Sequence, residues 1–266
     1  PEDVSYEQIE EMVHDLEALM RRCGLMIRSL VHAYLFEPYG VRYYGRPETV
    51  GVKYEIPEEN KQYAALVKGK RDVYKGSINY TQLCFSNPKV RKDCTDYIIS
   101  FVKERKPDII HLSIADGTKN YCECEECVKK LPSEWHLMFL NEVDAALTAA
   151  GFDDVKISFG LYVSLLWPPK TERFNNPERF RLGIRFDRSF SKPLTAERRL
   201  VPIPEYKRND FNVVLDNDLS LSFVEAWKPI YSGKYSMTSY NLYMSHFSDP
   251  GYWQLAKRTA EDINVF

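Results

Sequence analysis

Three segments that read as β-strands are apolar on one parity and polar or small on the other, and that asymmetry narrows the fold more than any other property of the chain. In residues 108–116, Ile110, Leu112 and Ile114 share one side while His111 and Ser113 share the other. In residues 155–163, Val155, Ile157, Phe159, Leu161 and Val163 oppose Ser158, Gly160 and Tyr162. In residues 181–187, Leu182, Ile184 and Phe186 oppose Gly183, Arg185 and Asp187. A doubly wound open sheet is covered by helices on both faces and needs both parities apolar. A barrel turns one parity toward its helices and the other toward its interior, and gathers its functional groups at the C-terminal rim. The expected fold class is α/β, a (β/α)8 TIM-barrel-like domain.

The segments between these strands support that reading. Ile9, Met12, Val13, Leu16, Leu19, Met20 and Cys23 recur at helical spacing, Ser5 and Gln8 can close a capping box, and Gly24 can end the helix. The apolar run Leu25–Leu35 reads as a buried strand, followed by a long loop through YGVRYYGRPETVG. Asn87 as N-cap and Pro88 at the first helical position open a second helix with Val90, Cys94, Tyr97, Ile98 and Phe101 on one side. A third helix runs from Ser133 to Ala150 and is closed by Gly151. FNVVLD and YSMTSYNLY read as weaker strands, and Asp249 and Pro250 begin a last helix. Alternation of strand and helix favours a mostly parallel sheet.

At 266 residues the chain has the size of one barrel domain, since barrels of about 200 to 250 residues fold as a unit. A barrel begins on a strand and ends on a helix, whereas this chain opens on the helix after Ser5 and closes on INVF. We therefore expect residues 1–266 to form a single barrel domain, incomplete at one or both ends, within a longer protein that carries further domains. A formal charge of -2 without a basic stripe gives no footprint for nucleic acid. No apolar run reaches the roughly 18 residues of a membrane span, so neither nucleic acid nor membrane is expected as a partner.

Asp116 ends its strand in SIADG, where barrel enzymes place reacting groups, and Asp187 ends another strand. A pair of carboxylates across a barrel mouth can serve as acid and as base or nucleophile in glycoside hydrolysis. The competing structural readings are a turn residue for Asp116 and an ion pair with Arg185 or Arg188 for Asp187. Glu37 is a third candidate. Aromatic rings with polar tips can cover a sugar face while bonding its hydroxyls. Placed near such a ligand are His32, Glu37, Tyr162, Trp167, Arg185, Tyr240, Tyr243 and His246, although ordinary packing competes for each ring.

Cys122, Cys124 and Cys127 form a C-x-C-x-x-C cluster just after Asp116. Thiolates this close in sequence can converge on one cation, and a closed zinc site needs a fourth ligand. Cys84, before the second helix, is the first choice and His136 the alternative. A disulfide pairing of the same cysteines remains open, so a metal implies a cytoplasmic setting and disulfides a secreted or periplasmic one. Cys23 and Cys94 read as core thiols. The metal expected is a structural zinc, and no cofactor is expected for catalysis, because four thiolates leave no open position.

The segment SIADGTKNYCECEECVKK, with FLNEVDAAL, KISFGLYV and WPP after it, resembles an uncharacterised bacterial family of domains of unknown function. The resemblance reaches back through QLCFSNPKV and GKR to HAYLFE, and forward to EAWKP and SYNLYMSH. That family is placed among glycosidase-like (β/α)8 barrels distantly similar to alpha-glucuronidases and beta-hexosaminidases. The resemblance implies a glycoside hydrolase-like domain that acts on, or only binds, an oligo- or polysaccharide. One departure matters: substrate-assisted hexosaminidases place an Asp-Glu pair at a strand end, and here Asp116 is followed by Gly117.

Overall fold

A computed structural model describes residues 5–30, 33–43, 51–185, 199–212, 216–238, 249 and 251–263. Helix α1, Tyr6–Arg22, starts at the predicted capping box, with the Ser5 hydroxyl accepting from the Gln8 amide and the Gln8 side chain accepting from the Ser5 amide. Its apolar side is exposed, Met12 at 66% and Leu16 at 56%. Cys23 caps this helix and is exposed, so the expectation of a core thiol there is corrected. The strand expected over Leu25–Leu35 shrinks to β1, Arg28–Leu30, and Ala33–Tyr39 forms a 3-10 helix instead. An apolar run of that length fits strand and helix equally, and Leu35, Phe36 and Tyr39 reach the core from the helical turn.

A small antiparallel hairpin follows, β2 (Leu66–Val67) with β3 (Lys70–Arg71). Helix α2, Pro88–Arg105, opens on the Asn87 cap and buries Val90, Cys94, Ile98 and Val102. It leads into β4, Ile109–His111, and helix α3, Pro132–Ala149, packs along it. Strands β5 (Lys156–Leu161) and β6 (Phe180–Arg185) come next. Helix α4, Asn217–Trp227, was not anticipated from the sequence; Asp216 caps it by accepting from the Leu219 amide. Strand β7, Lys234–Thr238, and helix α5, Trp253–Ile263, complete the described elements. The core of the expected FNVVLD strand, the end of YSMTSYNLY and residues 186–198 lie outside the described residues.

The large sheet has the order β1-β4-β5-β6-β7, and every neighbouring pair is parallel. Strand order equals chain order, with no reversal of the kind that defines a doubly wound sheet. Right-handed crossovers that all step in one direction fall on one face of the sheet. The residues of that covered face are the apolar parity: Ile110, Ile157, Phe180 and Leu182 have no exposure, and Phe159, Leu161 and Ile184 have 4% or less. The opposite face is polar or small, as the sequence parity predicts. Across it the register aligns His111 with Ser158, Ser158 with Arg181 and Arg181 with Lys234, and further along Gly160 with Gly183 and Gly183 with Ser236. Among the described residues the architecture is thus a mixed α/β layer structure with a singly wound parallel sheet. No helix among them is long and apolar enough to cross a membrane.

One buried polar system ties α3 to the start of β6, and a second, part-buried one links neighbouring strands. Arg179, 3% exposed, donates from Nε to Asp144 Oδ1 at 2.7 Å and from its terminal nitrogens to the Phe152, Asp153 and Val155 carbonyls and the Thr148 hydroxyl. On the polar face the His111 ring lies 2.9 Å from the Ser158 hydroxyl, 2.6 Å from the Ser113 hydroxyl and 2.9 Å from the Arg28 guanidinium.

Candidate functional site

Asp116 lies beyond the C-terminal end of β4, where the chain leaves the sheet. Its neighbour Ala115 is clamped by Gln82, which accepts from the Ala115 amide and donates to its carbonyl. The Asp116 amide donates to the Asn79 carbonyl, and Asn120 Nδ2 donates to the Asp116 and Tyr80 carbonyls. The backbone is therefore fixed from three directions. Oδ1 of the half-buried carboxylate accepts from the Tyr162 hydroxyl and from the Gly117 amide, both at 2.7 Å, and Oδ2 has no partner among the described residues. Tyr162 follows β5 directly, so the pair joins the ends of two adjacent parallel strands. The Gly117 bond is the turn contact anticipated as the structural reading of Asp116; the tyrosine bond is additional.

Glu37 sits in the 3-10 helix after β1, at the same end of the sheet. Burial raises its carboxyl pKa, opposed by Arg42, whose Nε is 3.7 Å away. Trp167 is 8% exposed, with Tyr206, Phe211 and Phe223 against its ring and its indole N–H donated to the Pro204 carbonyl. That environment is ordinary aromatic packing. Arg185 is the last residue of β6, and His32, Asp187, Tyr240, Tyr243 and His246 lie outside the described residues.

The cysteine cluster is assembled from two distant stretches. Cys84, Cys122, Cys124 and Cys127 bring their sulfurs within 4.8 Å of one another. Cys84 Sγ lies 3.6 Å from those of Cys122 and Cys124 and 3.8 Å from that of Cys127. A disulfide needs about 2.05 Å. Four sulfurs around a tetrahedral cation with bonds of about 2.3 Å stand about 3.8 Å apart. The four residues fit such a cation, and all are free thiols. His136, the alternative fourth ligand, is instead buried in α3 beside Phe159, where burial lowers its pKa to about 4.

The surroundings favour the thiolate at Cys84 and Cys124 and oppose it at Cys122 and Cys127. The Leu66 amide donates to Cys122 Sγ at 3.2 Å, and the Ser86 hydroxyl lies 3.1 to 3.6 Å from Cys84, Cys124 and Cys127. Hydrogen bonds from Cys122 and Cys127 hold the Cys84 pKa well below the ordinary thiol value. For Cys122, bonding with Cys127 favours ionisation, but bonding to Cys84 and burial outweigh it and the pKa rises to about 11. Burial opposes the charge of Arg71, yet hydrogen bonding to Cys84 and attraction from Cys84 and Cys122 prevail and raise its pKa. Arg208 then ties the loop by donating to the Cys122, Cys127 and Lys130 carbonyls, and Asn209 exchanges hydrogen bonds with the Tyr121 backbone. Arg71, Ser86, Arg208 and Asn209 escaped the sequence reading. Arg71 belongs to the GKR segment that carries part of the family resemblance, but nothing in that segment points to the cysteines.

A family model described as domain of unknown function DUF4838 matches residues 41–203, more than half of the chain. No curated protein matches. Among solved structures, the galactosidase domain of alpha-galactosidase-sucrose kinase, AgaSK, is similar with a TM-score of 0.36 and 12% identity. That alignment covers 94% of this chain, which spans 31% of the other.

Proposed function

This chain belongs to the DUF4838 family, a domain of unknown function, and we propose that it is a glycoside hydrolase-like domain whose parallel sheet is an arc of a (β/α)8 barrel. The observation that carries this reading is the Asp116 carboxylate beyond the C-terminal end of the sheet, oriented through Oδ1 by Tyr162 with Oδ2 turned to no partner among the described residues. A carboxylate fixed in this way can attack a sugar's anomeric carbon as nucleophile, or as base take a proton from the water that attacks it, while a second, protonated carboxyl donates to the leaving oxygen. Glu37 suits the donor role, because burial raises its pKa; Asp187 is the other candidate. The polar parity of the sheet supports a site at this end, and the sequence resemblance supports a sugar as ligand.

We further infer that the four cysteines hold a structural zinc. The ion supplies cross-linking rather than chemistry, since four thiolates complete its coordination. The cluster joins the β2–β3 hairpin side of the fold to the loop that follows Asp116, through Leu66 on Cys122.

Hydrolysis of a panel of oligosaccharides by the intact parent protein tests the enzymatic reading. Asp116→Asn should lower turnover about 100-fold or more with the fold unchanged, the scale of general acid–base catalysis. Tyr162→Phe should reduce it less. Undiminished turnover in Asp116→Asn refutes the assignment, and glycan binding without hydrolysis by the wild-type parent selects a carbohydrate-binding barrel instead.

A further inference from the structure

Behind the Asp116 loop, between the β2–β3 hairpin and the segment 72–82, lies a cavity of about 420 Å³. Its size falls in the range of about 300 to 1,000 Å³ typical of small-molecule sites. Lys68, Lys70 and Lys75 line it, together with Asp72, Tyr74 and Asn120. The one carboxylate, Asp72, is already within 3.5 Å of the Lys61 ammonium. None of Lys68, Lys70 and Lys75 has an ion-pair partner among the described residues, although the Lys75 ammonium lies 5.4 Å from the centre of the Tyr74 ring. A chain with a formal charge of -2 thus concentrates unneutralised positive charge at one concavity.

Two further features separate this cavity from an ordinary basic surface. Lys68 and Lys75 each adopt a positive φ, 50° and 51°, and each is followed by a glycine that does the same. Gly, which has no Cβ, and Asn, whose short polar side chain can bond the local backbone, occupy such turns at lower cost than Lys. Strain kept at a site is a pointer to function when an observed outlier comes first, and here two outliers edge one cavity. The second feature is Asn120. It is fully buried, lines the cavity, and spends Nδ2 on two backbone carbonyls, while Oδ1 has no hydrogen-bond partner. A buried acceptor without a donor is an unfavourable arrangement kept in the wall of this cavity.

We propose that this cavity is a binding site for an anionic sugar, one bearing a carboxylate or a sulfate ester, whose charge is met by Lys68, Lys70 and Lys75. Recognition of the anion stands on the lysines alone; its identity as a sugar rests on the glycoside hydrolase-like reading. Asn120 also holds the Asp116 carbonyl, so the site adjoins the candidate carboxylate and would set which residue of an acidic chain lies beside it.

The test is calorimetric titration of the full chain with digalacturonate, a sulfated disaccharide, cellobiose and inorganic sulfate. The two acidic disaccharides should bind and weaken as salt rises, with cellobiose and inorganic sulfate at least about tenfold weaker. The double variant K68N/K75N removes two charges while placing at both turns a residue that tolerates positive φ, so it should fold at least as well and bind the acidic disaccharides at least about tenfold more weakly. Equal binding by K68N/K75N, equal binding of cellobiose, inorganic sulfate matching the acidic disaccharides, or no binding of either acidic disaccharide overturns the proposal. Turnover of Asp116→Asn tests the enzymatic reading and titration of K68N/K75N tests the anion site, so the two readings fail in separate measurements.

Discussion

Replacing Cys84 with Ser removes the sulfur through which the two halves of the cysteine cluster meet. Cys84 alone comes from the segment before α2; the other three belong to the loop after Asp116. Sulfur separations of 3.6 and 3.8 Å correspond, for a regular tetrahedron, to metal–sulfur bonds of about 2.2 to 2.3 Å, the zinc–thiolate length. Zinc-edge absorption spectroscopy on protein purified without chelator should therefore give four sulfur scatterers at about 2.3 Å and one equivalent of metal. Cys84→Ser should lose one sulfur scatterer and most of the bound zinc. Structural zinc sites of small domains contribute about 10 to 16 kcal/mol of apparent binding free energy at neutral pH. In a 266-residue chain the unfolding entropy is about 0.6 kcal/mol per kelvin, so realising about 4 kcal/mol of the metal's contribution corresponds to a fall in Tm of about 7 °C on chelation. Zinc below a few tenths of an equivalent, fewer than three sulfurs in the shell, or a Tm unmoved by chelator and by Cys84→Ser would refute the reasoning. Disulfide-linked cysteines in unreduced protein would refute it as well.

Arg179→Met should cost about 3 to 5 kcal/mol in denaturant unfolding, since it strands the buried Asp144 carboxylate and three backbone carbonyls, and adding Asp144→Leu should recover part of that loss; additivity of the two changes would count against a shared network. Burial holds His136 at about 4 against an ordinary 6.5, so the unfolded chain binds its proton first and the protein should lose stability as pH falls from about 6.5 toward 4. His136→Gln should flatten that part of the stability profile, and an unchanged slope would show that other groups produce it.

Much of the sheet was legible because strand parity is a long-range statement written locally. The alternation in residues 108–116, 155–163 and 181–185 reappears as a covered apolar face and a polar one. Helix ends that rest on a single residue's chemistry were equally readable, as Ser5 with Gln8 and Asn87 with Pro88 show. The run Leu25–Leu35 misled because uniform apolarity has no period, and α4 was hidden because its residues are buried over most of their length and so show no clear polar side. Cys84 could be chosen as the fourth thiol because it too precedes a helix, but nothing local in Arg208 or Asn209 announces that they brace residues more than 75 positions earlier.

The same distinction explains why the basic cavity was invisible as a charge pattern. Net charge and stripes along a helix or strand are sums over sequence, whereas Lys68, Lys70 and Lys75 alternate with glycine, arginine, aspartate and tyrosine through a hairpin and a second tight turn. Only the two reversals of the chain bring the ammonium groups to one wall. The hairpin that presents Lys68 and Lys70 is itself fixed on one side by the Leu66 amide on Cys122 and by the Lys68 amide on Glu123, both residues of the cysteine loop. The cysteine cluster, the cavity and the Asp116 turn are therefore mechanically one unit: the loop that follows Asp116 provides three of the four thiols, and those thiols set the position of the lysine-bearing hairpin. An isolated metal knuckle would need no such continuity with a carboxylate at the end of a parallel sheet. The arrangement makes sense if the cluster's task is to hold the lysine-bearing turns still beside Asp116, and it links the proposed metal site, the proposed anion site and the candidate carboxylate through one loop.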